Sequence, residues 1–219
     1  MKPTNNISLW PSFEKWLAFP GEQIKKVFRW GKFLRRTKKQ STLEHTLQQT
    51  LLTIMAIFIE NPEAARSSAP FMITVCAILH DFGERPKRKK TSKKWNFDDA
   101  ATDKVGNNGE KIQERERKKL YNFVDKVPLT EPTKSEVITF LIDCYEIQYL
   151  DTELGKYFNS LERLGYCLHA LDECRAGNLE YAKVFLDNHK ELLSRSQKFK
   201  SISTIYQPYM DEIKSYYLK

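Results

Sequence analysis

An all-α fold of seven or more helices is what the sequence predicts, and three observations carry that reading. Apolar residues recur at helical spacing in one segment after another. Strand-length alternation of β-branched residues is scarce, and residues that start and stop helices bracket the periodic stretches. The 219 residues suffice for one large domain, or a domain with an appendage, with a core of its own. Eight glycines and nine prolines exclude a fibrous or linker-rich chain, and 12% aromatics exclude one disordered throughout.

The first helix is expected over Ser41 to Glu60. Ser41 supplies an N-cap and Glu44 its partner three residues on, the two halves of a capping box. Leu51, Leu52, Met55 and Ile59 then recur, and Asn61-Pro62 stops the run. A second helix, about Pro70 to Phe82, is apolar almost all round, which predicts a central, buried position; Gly83 and Pro86 end it. Residues 85–109 turn basic and then polar, so a long surface loop is expected there. Helical pattern returns over Glu110 to Val127, Pro132 to Tyr149, Gly155 to Gly177, Leu179 to Ser194 and near Thr204 to Tyr217. Gly177-Asn178 reads as a C-cap and turn. Trp10, Trp16 and Phe19, with Pro11 and Pro20, suggest that residues 1–24 dock onto the core. Residues 25–194 then form the helical domain, and 195–219 a C-terminal helix packed on it.

The formal net charge of +8 is unevenly spread. Eight Lys or Arg and no acid lie between Lys25 and Lys39, and seven of the ten residues from Arg85 to Lys94 are basic. Such blocks point to an anionic partner, although solvated faces look alike. The block at 85–94 reads as a solvated insertion, as a lid that gathers phosphate, or as a nucleic-acid contact; only Trp95 and Phe97 stand by for stacking. No run approaches 18 apolar residues, and the N-terminal ten lack a signal-peptide core, so no membrane segment is expected. Cys76, Cys144, Cys167 and Cys174 lack CxxC spacing and sit among apolar residues. Buried free thiols in a cytoplasmic, reducing compartment are expected.

Only four histidines are present: His45, His80, His169 and His189. His80 is followed at once by Asp81 at the end of the most apolar helix, and His45 sits one turn into the preceding helix. Imidazoles and carboxylates held on rigid neighbouring elements are metal-ligand chemistry, and a fourth ligand would come from a downstream acid. His169, among Cys167, Leu168 and Leu171, reads as an interior histidine, and His189 as a surface one.

These residues resemble the HD-domain metal-dependent phosphohydrolases, and among them the branch of 5′-nucleotidases that act on deoxyribonucleoside monophosphates. The resemblance rests on Arg29-Trp30, Glu44-His45, the stretch Ala77 to Glu84 (AILHDFGE), the segment near Glu114, Cys144 to Glu146, and Ser160 to Glu173. It spans about two thirds of the chain. It implies an HD-type helical bundle that binds one divalent transition ion (Mn, Co, Fe, Ni or Zn) through His45, His80, Asp81 and a fourth acid. The family position for that acid falls on Glu162, a glutamate where the family has aspartate; Asp172, nearly three turns further on, is the other candidate. The resemblance further implies that Glu84 works with metal-activated water, that Arg29 holds phosphate, aided by Arg35 or Lys38, and that Trp30 packs on sugar or base.

The chain departs from that branch where it keeps a Gly-Asp after the His-Asp segment, for Lys89 falls at the position of that Asp. A lysine neutralises charge but does not accept a proton, which opens the substrate to more highly charged phosphates. The expected function is metal-dependent hydrolysis of a phosphate monoester of a nucleotide-type substrate. The alternative is an HD scaffold that binds nucleotide or nucleic acid, the latter through 85–94, without turnover. The resembling family often dimerises, and a homodimer is one assembly the resemblance allows.

Overall fold

The computed structural model describes residues 29, 40–82 and 109–217. Among them are eight α-helices: α1 (Thr42–Glu60), α2 (Ser68–Leu79), α3 (Gly109–Val124), α4 (Thr133–Glu146), α5 (Glu153–Arg175), α6 (Ala182–Ser196), α7 (Lys200–Tyr206) and α8 (Met210–Tyr217). The described residues contain no β-strand. The all-α expectation therefore holds.

Local chemistry sets the ends of α1. The Ser41 hydroxyl accepts from the Glu44 amide at 3.2 Å while the Glu44 carboxylate accepts from the Ser41 amide at 2.8 Å, so the capping box forms as read. At the other end, the Glu60 carboxylate accepts from the Ser201 amide (2.8 Å) and hydroxyl (2.7 Å). It thereby ties the end of α1 to the start of α7 and places negative charge where unpaired amides favour it.

The 23-residue α5 is the spine of the bundle. Its Phe158, Leu161, Leu164, Cys167, Leu171 and Cys174 are buried at helical spacing in the main core, and the helix packs on α1, α2, α6 and α7. Gly155 lets its first turn approach the preceding segment, since a Cβ there would lie 2.1 Å from the Leu150 carbonyl oxygen. Beyond Ala176, Gly177 takes φ +91°, a left-handed conformation that closes the helix. A smaller cluster of Leu79, Leu120, Val124 and Tyr145 joins α2, α3 and α4. It fixes the last residue of α2, next to His80. Ile213 of α8 is buried in the main core.

Three expectations need correction. The second helix stops at Leu79 rather than Phe82, so His80 and Asp81 lie in the turn that follows it. That helix is not buried all round: Phe71 and Ile78 are exposed. The pattern over 204–217 is two helices, because Pro208 lies in the 3-10 turn Gln207–Tyr209 that separates α7 from α8. One helix is also inside out. The face α1 turns inward carries Thr42, His45, Thr46, Gln49 and Thr53 before Ala56 and Ile57, while Leu47, Leu51, Met55 and Phe58 face outward.

Candidate metal centre

His45 sits in the first turn of α1, and His80 and Asp81 follow the end of α2. The contact of α1 with α2 brings the three together, all of them buried. The two imidazole Nε2 atoms are 3.4 Å apart, and Asp81 Oδ2 lies 3.1 Å from His80 Nε2 and 3.6 Å from His45 Nε2. Ligand bonds of about 2.0–2.2 Å set tetrahedral or octahedral edges of about 2.8–3.6 Å. The three separations fall within that range, so the donor set fits one divalent ion.

The ring orientation is built in. His80 Nδ1 donates to the Ala77 carbonyl at 2.8 Å, and since a carbonyl only accepts, that nitrogen carries a proton. In the neutral ring the lone pair is then on Nε2, which faces the other two donors. Burial holds His45 well below its ordinary pKa, with the Arg29 guanidinium adding to the effect, so this ring is neutral. Burial acts the same way on His80, but the charge and hydrogen bond of Asp81, helped by Glu162, outweigh it and raise its pKa.

Arg29 is buried and its guanidinium donates to Asp81 Oδ2, an oxygen of the candidate ligand set, and at 3.2 Å to the Tyr166 hydroxyl. Its backbone amide donates to the Gln40 carbonyl at 2.9 Å, just ahead of α1. The sequence reading placed Arg29 on phosphate; here it is the ion-pair partner of Asp81.

Glu162 is not one of the three clustered donors. Its Oε1 accepts from the Tyr166 hydroxyl one helical turn along α5, and its charge acts on His80. Asp172, the other candidate, is 79% exposed and lies 3.6 Å from Arg175 Nη1, away from the buried cluster. Tyr166 is the residue that sequence reasoning missed. It stacks on His45 with ring centroids 5.8 Å apart, and burial together with Glu162 raises its phenol well above the usual range, so it remains a donor. Its place four residues after Glu162, on one helical face, was the available signal. Phe158 closes another side, edge-on to His80 at 5.6 Å.

Glu84, Trp30 and Lys89 lie outside the described residues, as does the basic block at 85–94. His169 is half-buried and meets the Tyr181 ring edge-on at 5.8 Å. His189 is half-buried rather than a surface residue, and its Nδ1 lies 2.7 Å from the Tyr206 hydroxyl. The four cysteines are free and buried, and desolvation pushes the Cys144 and Cys174 thiols up to about 11.

No protein-family model matches the sequence, and no curated protein matches it. Among solved structures, an HD-domain phosphohydrolase from Listeria innocua superposes with a TM-score of 0.64. It is 14% identical, and the match covers 93% of this chain and 90% of that one. The likeness establishes the fold: the described helices adopt the helical architecture of an HD-domain protein.

Proposed function

We propose that the chain is a divalent-metal-dependent phosphohydrolase that cleaves a phosphate monoester of a nucleotide-type substrate. The observation that carries this reading is the buried trio of His45, His80 and Asp81, with donor atoms at ligand-edge spacing and a buried arginine beside them. His45 and His80 would hold the ion through Nε2 and Asp81 through Oδ2. A bound first-row ion would supply acidified water and positive charge for the phosphoryl oxygens.

The chain's own residues do the rest. The Ala77 carbonyl holds the His80 tautomer, and Tyr166 orients Glu162 beside the trio through its hydroxyl. Arg29 would be the donor that meets phosphate oxygens, a reading supported by its buried guanidinium beside Asp81. Phe158 and the stacked Tyr166 and His45 rings keep bulk water from the donors. For Glu84 we retain the proton-handling role implied by the resemblance, and for Trp30 a place on sugar or base. The nucleotide preference rests on the same resemblance. Free, buried thiols support a cytoplasmic setting. Among the described residues no helix is long and apolar enough to cross a membrane.

Phosphate release from a panel of nucleoside mono-, di- and triphosphates, measured with Mn, Co, Fe, Ni or Zn, tests the proposal. Activity is expected with at least one ion and should vanish in His80→Ala and Asp81→Ala. Activity that survives either change places the chemistry elsewhere. Tight metal and nucleotide binding without phosphate release would identify the non-hydrolytic binding scaffold instead.

A further inference from the structure

The outward faces of α1 and α2 are apolar and carry no charge. Leu47, Leu51, Met55 and Phe58 of α1, with Phe71 and Ile78 of α2, are 48–60% exposed. No Asp, Glu, Lys or Arg lies between Glu44 and Glu60, or between Arg66 and Asp81. The acids at the two ends of α1 are engaged within the chain, Glu44 in the capping box and Glu60 on Ser201. Thr50 and Thr74 turn their hydroxyls back onto the carbonyls of Thr46 and Pro70. A groove of about 290 Å³ joins the two faces, and the charged residue among those lining it is Arg66, a cation. Along α1 the apolar stripe runs from Leu43 to Phe58, about 22 Å at 1.5 Å per residue. Positive charge is concentrated next to it in sequence. Eight Lys or Arg between Lys25 and Lys39 precede α1, and seven between Arg85 and Lys94 follow α2. His45 and His80 meet where α1 begins and α2 ends, so both basic stretches are connected to the helix pair at that end.

We propose that this two-helix face seats on a bilayer surface rich in anionic phospholipid, with α1 lying along the plane of the interface. An interfacial helix binds through apolar area on one side and through basic residues that meet the lipid charge, and stable attachment takes both signals. Both are present: an uncharged apolar face, and a net charge of +8 whose densest stretches adjoin that face in sequence. A protein partner fits less well. Protein interfaces carry about one hydrogen bond per 100–200 Å² to set their register, whereas these faces offer no charged group and the hydroxyls beside them are already bonded. A bilayer requires no register. Anionic headgroups also neutralise the positive charge of the chain, which a second copy would double. The contact is with the surface alone, since among the described residues no helix is long and apolar enough to cross a membrane. The inference stands apart from the phosphohydrolase reading and survives its failure.

Co-sedimentation of the full chain with lipid vesicles tests it. Binding to phosphatidylcholine vesicles that carry about one third phosphatidylserine should exceed binding to phosphatidylcholine alone by at least about 10-fold, and should fall as salt is raised. Leu51→Glu puts a carboxylate into the lipid contact and should weaken binding to the anionic vesicles by at least about 10-fold. Leu186→Glu, exposed on α6, should leave it unchanged. Helicity should hold in both variants, because both leucines are more than half exposed. A second measurement reads the face directly. A nitrobenzoxadiazole dye attached at Leu51→Cys should brighten and shift to the blue on addition of anionic vesicles, while the same dye at Leu186→Cys should not; the buried native thiols do not compete for the label. A wild-type chain that ignores anionic vesicles overturns the inference, whether a second copy or a different protein covers the face. Equal binding to neutral and anionic vesicles overturns it as well. So does binding that withstands Leu51→Glu and leaves the dye at residue 51 in water, which would assign the attraction to the basic stretches alone.

Discussion

Two cations compete for one carboxylate oxygen at the candidate metal centre, and Arg29→Met separates them. Asp81 Oδ2 accepts from the Arg29 guanidinium and faces the two Nε2 atoms at 3.1 and 3.6 Å. A metal ion that takes this oxygen must displace the guanidinium or share with it. A buried hydrogen bond between charged groups contributes about 1.5–3 kcal/mol net. Freeing Oδ2 should therefore tighten metal binding by about 10- to 100-fold, at about 1.4 kcal/mol per decade. The metal-free protein should suffer the opposite effect. Asp81 would be left buried without its arginine, a loss of up to about 3–5 kcal/mol, lessened by the His80 ring, whose Nε2 lies 3.1 Å away. Methionine keeps most of the volume, so packing is not the variable. The assay is calorimetric titration of Mn into chelator-stripped wild type and variant, with urea unfolding of both in chelator. Weaker or unchanged metal affinity in the variant would refute the competition, and unchanged unfolding would refute the buried pair.

Glu162→Gln should weaken metal binding by about 10-fold through loss of a charge beside the site, whereas Asp172→Asn should leave it unchanged; the same titration reads both, and the reverse order would exchange their roles. Gly155→Ala forces a Cβ to within 2.1 Å of a backbone carbonyl oxygen. It should lower stability by about 1–3 kcal/mol in urea unfolding despite the better helix propensity of alanine. Stability of the metal-free protein should fall as pH drops below about 6.5, the ordinary histidine value. Burial lowers the folded pKa of His45, His169 and His189, so the unfolded chain binds more protons there; His80 is raised and acts in the opposite sense. A melting temperature in chelator that holds or rises from pH 7.5 to 5.5 would contradict that balance.

Much of the helical order was legible because it is written in neighbours. The Ser41–Glu44 capping box, the stop at Asn61 and the left-handed Gly177 each depend on a few consecutive residues, and each forms as read. Where a local pattern misleads, a local cause is present in the sequence. Pro208 divides the last helical stretch, and α2 ends with its apolar run at Leu79, ahead of the polar His80-Asp81 pair. The candidate site was legible mainly through the order His45, His80-Asp81, which the family resemblance supplied. Spacing along the chain could not choose between Glu162 and Asp172, since both are acids on one helix. The structure separates them by burial, one beside His80 and the other in solvent with Arg175.

By itself the sequence determined the helical class, the caps, and the presence of two histidines and an aspartate in an order that suits a metal. Only the tertiary structure decided which charges meet. The Arg29–Asp81 pair spans 52 residues and the Arg29–Tyr166 bond 137, and no periodicity of 3.6 residues carries information over such separations. It also decided which face of α1 looks inward. By hydropathy that helix should bury its leucines. Its polar residues are instead held inside by contact with α2 and α5 around the three donors, together with Ala56 and Ile57, while Leu43, Leu47 and Leu51 are left outside.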